Sequence, residues 1–187
     1  RAQQISRNSY AIALQGINIE WNVPPWVEWN GMIRTVSPSD LVTIKLTASS
    51  TDPSKEVFIG IARADDLAAY LSNVEYDEIT HFSISPSGYP LLEYTTHPGV
   101  ALQSPPTSKA FWLVSQHGTG TQTLMWSPEP GTFWIALMNG DGSIGVDLTM
   151  TLGAKVPVLS LVADGLLVGG LVAGLVGAGL IYLGVRR

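Results

Sequence analysis

Leu41-Val42-Thr43-Ile44-Lys45-Leu46-Thr47-Ala48 decides the fold class. Val42, Ile44 and Leu46 alternate with Thr43, Lys45 and Thr47, and a period of two places one set on each face of an extended chain. One face is dry and the other wet, as in a strand half-buried in a sheet. Working outward, the same texture recurs at 10–16, 57–62, 79–85, 91–95, 110–116, 121–127, 132–139 and 145–152. These runs are rich in Val, Ile, Thr, Trp and Phe, which suit a pleated surface.

Turn chemistry separates the runs: Asp52-Pro53-Ser54, Ser104-Pro105-Pro106, Ser127-Pro128-Glu129-Pro130-Gly131 and Asn139-Gly140-Asp141-Gly142-Ser143. Gly118-Thr119-Gly120 predicts a tight hairpin between two strands. One short helix is expected to interrupt them, with Asp65 capping 66–71 and Leu67, Tyr70 and Leu71 turned to the core. Many short strands at near-regular spacing predict a mainly β domain over residues 1–155, an antiparallel sandwich of jelly-roll type.

Residues 156–187 read differently. From Pro157 to Val185 there is one acidic residue, Asp164, and no basic one. The 26 residues 158–183 make about 39 Å of helix at ~1.5 Å per residue, enough to cross a ~30 Å hydrocarbon core. Arg186 and Arg187 follow the segment and Lys155 precedes it; the excess of bases marks the cytoplasmic side, and Tyr182 falls where an interfacial aromatic is expected. The expected topology is a single pass in the cell membrane, with the β domain outside and the C-terminus cytoplasmic. The chain begins at Arg1, read as a mature N-terminus after export.

Within that segment Gly165, Gly169, Ala173 and Gly177 recur every four residues. Small residues at this spacing share one helix face and permit close approach of another helix. Glycine lowers helix propensity by about 1 kcal/mol relative to alanine, so a mere anchor gains nothing from the row. Its plainer explanation is that glycine is common in membrane helices. Asp164 stands about one turn inside the outer end; it is read as interfacial, ahead of a polar contact with a partner or a part in ion transfer.

Composition excludes several classes. The first 155 residues hold 8 Lys or Arg against 14 Asp or Glu, a formal −6, and an acidic domain lacks the basic face that nucleic acid needs. Without cysteine there is no disulfide, thiolate metal site or thiol nucleophile. The stretch Asn139–Ser143 has the look of a calcium loop, but a twelfth position counted from Asn139 is Met150, where a bidentate Glu is required; a hairpin turn is the better reading. His81, His97 and His117 show no metal-ligand spacing, and no serine sits in a Gly-x-Ser-x-Gly elbow. No catalytic, cofactor or metal site is expected.

Trp21, Trp26 and Trp29 flank or follow Pro24-Pro25, in company with Glu20, Glu28 and Asn30. They are a candidate surface for protein or sugar contact; the plainer readings place them over the end of the sandwich or at the membrane surface. Trp112, Trp126 and Trp134 are taken as core residues within strands.

Phe58-Ile59-Gly60-Ile61-Ala62, Leu67-Ala68-Ala69-Tyr70-Leu71 and Tyr76-Asp77-Glu78-Ile79-Thr80 resemble a group of uncharacterised bacterial membrane proteins frequent in actinobacteria. The later stretch from Gly118 to Leu124, with Trp126, Pro128-Glu129-Pro130-Gly131, Trp134, Met138 to Ser143 and the glycine-rich segment, agrees. The resemblance covers roughly residues 57–187 and implies topology; that group has no assigned activity. The expected function is a non-enzymatic accessory or structural subunit, packed against other transmembrane subunits or itself. The alternative is a cell-surface module that binds a glycan or protein through 21–29.

Overall fold

A computed structural model describes residues 2–20, 26–29, 32–35, 42–84 and 90–155. The chain there is mainly β: strands β1 (Gln3–Arg7), β2 (Ala11–Ile19), β3 (Trp26–Trp29), β4 (Met32–Thr35), β5 (Thr43–Ser50) and β6 (Val57–Arg63) precede helix α1 (Ala64–Leu71). Then follow β7 (Tyr76–Ile84), β8 (Pro90–His97), β9 (Val114–Gly118), β10 (Thr121–Trp126), β11 (Gly131–Asn139) and β12 (Val146–Lys155).

Ten strands form two sheets, one in the order β1-β12-β5-β10 and the other β8-β7-β2-β11-β6-β9; β3 and β4 pair only with each other. Alternation along the strands explains the layering. Leu46, Leu124 and Leu148 from the four-stranded sheet meet Ile12, Ile59, Ile61, Phe133 and Leu137 from the six-stranded one in a single core. This two-layered arrangement is consistent with a β-sandwich. Its opposite, wet face on the four-stranded sheet carries Lys45, Thr47 and Thr123, of which Lys45 and Thr123 are exposed.

The six-stranded sheet is buried on both faces at its centre. Val57, Ile59 and Ile61 face the inter-sheet core, while Phe58 and Ala62 belong to a second cluster with Leu67 and Leu71 of α1, Ala136 and Met138. That double burial explains why β6 reads as a continuous apolar run rather than an alternating one. Residues 98–113 lie over the same outer face, joined to it by Val100 N–H to Asn73 O at 2.7 Å and Glu75 N–H to Val100 O at 3.1 Å.

Several expectations need correction. The sandwich is not wholly antiparallel: β2 and β7 run parallel, Ala11 opposite Tyr76, because α1 intervenes and returns the chain to the edge of β2 in the same direction. Gly118-Thr119-Gly120 does not make a hairpin. β9 pairs with β6 and β10 with β5, so the glycines, with φ of 147° at 118 and 69° at 120, turn the chain from one sheet into the other. Asn139–Ser143 is likewise a crossover between β11 and β12 in different sheets. Asp65 is not the helix cap: α1 begins at Ala64, and Arg63 at the cap position makes no side-chain capping bond. Asp65 and Asp66 lie in the first turn, where their charge favours the N-terminal end of the helix dipole. The strand expected over 110–116 begins only at Val114, which leaves Trp112 outside it.

No helix among the described residues is long and apolar enough to cross a membrane. The apolar segment 158–183, with Gly165, Gly169, Ala173 and Gly177, lies outside the described residues.

Candidate functional site

Chain direction gives the sandwich two distinct ends. At one, β2 finishes at Ile19 opposite Gly131 of β11, β5 starts at Thr43 opposite Lys155 of β12, and β10 leaves at Trp126 opposite Ile44. The loop from Trp126 to Gly131 joins the two sheets there, and the rings of Trp126 and Phe133, 5.0 Å apart and steeply inclined, close the core beneath it. At the other end lie the crossovers 51–56 and 140–145 and the start of β2.

The aromatic stretch singled out in the sequence belongs to the first end. The chain leaves β2 at Ile19 and re-enters the sandwich at Thr43, and between them stands a two-stranded ribbon. Trp26 pairs with Thr35, Val27 with Arg34, Glu28 with Ile33 and Trp29 with Met32. Trp26 and Trp29 are therefore strand residues, and Trp21 lies outside the described residues. Pairing of Trp29 with Met32 leaves Asn30-Gly31 between them. Asn-Gly is the strongest short-range hairpin signal, and it was legible in the sequence beside the tryptophans.

The remaining tryptophans are structural. Trp126 is buried in β10 and Trp134 packs at the margin of the second cluster from β11. Trp112 lies across Phe58, ring centroids 4.9 Å apart, and donates its indole N–H to Pro106 O at 2.9 Å. Tyr70 of α1 joins this group beside Phe111 and donates its hydroxyl to Ser104 O at 2.8 Å; burial pushes its phenol up to about 12.

Polar side chains concentrate at the far end. Asp77, buried at the start of β7, accepts from Arg7 Nη2 at 2.7 Å, Arg7 Nε at 3.0 Å and Thr96 Oγ1 at 2.5 Å. Burial pushes this carboxyl up, but the bonds from Arg7, Thr96 and Ser9 prevail and hold it below the usual carboxylate range. Arg7 also lies over the ring of Tyr94, 4.7 Å from its centre. The group ties β1 of one sheet to β7 and β8 of the other, which is a fastening role. Nearby, His97 stacks on Tyr76 at 4.4 Å and contacts Glu78 at 2.7 Å.

The histidines stand apart. His81 is exposed on β7 opposite Glu93, His97 is on β8, and His117 is on the far edge strand β9, 3.5 Å from Glu56. Among the described residues no three His, Asp or Glu side chains are placed to hold a metal ion. Asn139 turns its amide N–H groups inward, donating to Ser143 O at 2.9 Å and Gly145 O at 3.2 Å. Asp141 accepts the Ser143 N–H at 2.9 Å, and this bond holds its carboxyl low. An inward amide and a committed carboxylate make a closed turn.

One apolar cavity of about 30 Å³ lies between the sheets, lined by Ile12, Leu14, Leu46, Ile79, Ile135, Leu137, Met150 and Leu152. It is far smaller than the ~150 Å³ that admits a benzene-sized guest, so it is a packing void and not a ligand pocket. Comparison with known proteins finds no matching family model, no matching curated protein and no matching solved structure. The β3–β4 pair, separate from both large sheets, stands in the chain between β2 and β5 at the first end of the sandwich.

Proposed function

We propose that this chain is a non-enzymatic accessory or structural subunit, held in the cell membrane by one C-terminal helix with its β domain outside. The observation that carries the reading is the apolar segment 158–183 with its row Gly165, Gly169, Ala173 and Gly177. Helices in lipid gain little from apolar bulk against one another, so close backbone approach at small residues supplies their affinity. β12 runs to Lys155, so the domain passes directly into this segment. On this reading other transmembrane subunits, or a second copy, pack against the row.

The domain itself is taken as jelly-roll-like. Its four-stranded sheet β1-β12-β5-β10 corresponds strand for strand to β2-β11-β6-β9 of the other, and the chain repeatedly crosses between the two. The β3–β4 ribbon and the α1-β7-β8 unit are then insertions into that plan.

The test is direct. Replacing Gly169 and Gly177 with Leu should abolish detergent-stable association of the full chain. Unchanged oligomer size together with an unchanged set of co-purifying membrane proteins would sink the proposal.

The second reading is a surface module that binds a glycan or protein through Trp21, Trp26 and Trp29. What favours it is the pairing of β3 only with β4, separate from both sheets. Loss of glycan or protein binding in Trp26→Ala, with the domain still folded, would support this reading over the first.

A further inference from the structure

β12 outruns its partner on one side. β1 covers it only from Val146 to Met150, with Gln3 opposite Met150, while β5 accompanies it as far as Lys155, opposite Thr43. Among the described residues, the backbone of Thr151–Lys155 therefore pairs on the β5 side alone. Alternate N–H and C=O groups of that stretch point to the vacant side, where a further strand could bond to them. The devices that usually protect such an edge are missing from it. Thr151-Leu152-Gly153-Ala154 holds neither a charge nor a proline, whereas β8, an edge strand of the facing sheet, opens with Pro90 and carries Glu93.

The side chains at this edge show the same vacancy. Leu152 stands directly opposite Leu46, so both turn to the inter-sheet core, yet Leu46 is 2% exposed and Leu152 53%. Met150, the next core-facing position, is only partly buried. With Leu14 of β2 and Ile79 of β7, these two line the packing void of about 30 Å³, so its wall at Leu152 is open to solvent. The six-stranded sheet continues past β2 to β7 and β8, and Leu92 on β8 is also only partly buried against the core. An unpaired backbone edge and an uncovered apolar floor thus coincide. The space they leave has the shape of one more strand.

We propose that this edge is a docking site for an extended segment of a partner polypeptide, which adds to the four-stranded sheet beside Thr151–Lys155. Strand addition draws affinity from main-chain hydrogen bonds and selectivity from alternate side chains. Alternation fixes what the segment carries. Its inward residues are aliphatic, because they meet Leu14, Ile79 and Leu152. Its outward residues lie beside Gly153, which stands opposite the exposed Lys45. A Cβ on Gly153 would meet nothing nearer than Lys45 O at 3.9 Å. No side chain of β12 therefore intervenes between Lys45 and the added strand, and the outward face suits a carboxylate. The inference goes beyond the subunit reading and concerns the β domain alone, so it stands whether or not 158–183 crosses a membrane.

The probe is a fluorescein-labelled peptide, Val-Thr-Val-Glu-Val-Thr-Val, titrated against the full chain in detergent with fluorescence polarisation as the readout. Saturable binding is expected, and it should be at least tenfold weaker in Leu152→Glu, whose exposed position lets it keep the far-UV spectrum of the wild type. Lys in place of the peptide's Glu should weaken binding about threefold, the size of an exposed charge pair, and Lys45→Gln should erase that difference. Hydrogen exchange of the wild type locates the contact. Those amides of 151–155 not bonded to β5 should exchange freely in the peptide-free chain and become protected at saturation. Absence of saturable binding overturns the proposal, and so does protection confined to β8 or another edge. Protection of these amides before peptide is added overturns it as well: if it survives dilution, a segment of the same chain holds the edge, and if dilution removes it, a second copy does. Equal affinity for the two peptides overturns the assignment of a carboxylate.

Discussion

Asp77 shows how a buried carboxylate ties one sheet to the other through Arg7. Its carboxylate is 3% exposed while Arg7 is 34% exposed, so the two partners stand in different surroundings. Removing the base leaves a charge that water cannot reach; removing the acid leaves a guanidinium that solvent can recover. Arg7→Met should therefore cost about 3 kcal/mol and Asp77→Asn about 1–2 kcal/mol, an order that urea unfolding at neutral pH reads directly. Equal costs would mean that the buried charge is not what matters. The pH dependence follows from the depressed carboxyl. Its stabilising contribution is complete above the unfolded-state value near 4 and is lost as pH falls through the lower folded-state value. The wild type should thus lose more stability than Asp77→Asn between pH 5 and the acid limit of folding. Neither the pairing nor its burial was legible in the sequence, since Arg7 and Asp77 are 70 residues apart and β1 showed no clear alternation.

At the scale of elements, what was readable followed from local pattern. All nine expected strands exist, with ends displaced by up to four residues, because alternation and turn residues are properties of neighbours. What failed was pairing. Gly118-Thr119-Gly120 specifies a change of direction and not which sheet receives the chain; that depends on β5 and β6 already offering two separate edges. The candidate surface is half legible: composition marks Trp21, Trp26 and Trp29, whereas the pairing of Trp26 with Thr35 and Trp29 with Met32 is a property of two segments together. The row Gly165, Gly169, Ala173 and Gly177 is a matter of sequence spacing alone, and it lies outside the described residues. Gly60 carries a message of the same tertiary kind. A Cβ there would stand 2.5 Å from Trp112 Cε3 and 2.7 Å from Phe58 Cε1, so the missing side chain is what lets residues 98–113 lie on β6. Gly60→Ala should destabilise by about 2 kcal/mol through overpacking. Because Trp112 is the nearer of the two obstructing rings, Trp112→Ala should relieve part of that cost. A double-mutant cycle should show coupling of about 1 kcal/mol, and additive losses would place the strain elsewhere.

For the whole molecule the question is whether the two layers and their outer covering stand or fall together. Almost every strand pair joins residues distant in sequence: β1 lies on β12, with Gln3 opposite Met150, and β2 lies on β11, with Ala11 opposite Met138. Neither of the two large sheets can be completed by a contiguous piece of chain, so folding requires closure of long loops and is expected in the slow, millisecond-to-second range of non-local topologies. The central strands β6 and β11 also serve two cores at once. Ile59 and Leu137 face the inter-sheet core, Phe58 and Met138 the cluster under α1, and no backbone movement can expose one set and spare the other. Sharing of this kind predicts one cooperative transition. The full chain in detergent, carrying Trp21→Phe, Trp26→Phe and Trp29→Phe to silence the insertion, retains Trp126 between the sheets and Trp112 and Trp134 on the outer side. Indole emission and far-UV ellipticity should then trace the same denaturant midpoint, with a Trp126→Phe derivative, which reports the outer cluster alone, unfolding with coincident probes of its own. An earlier midpoint for the outer tryptophans would show that α1 and residues 98–113 detach before the sandwich opens, and that the strands common to both cores do not bind them into one unit.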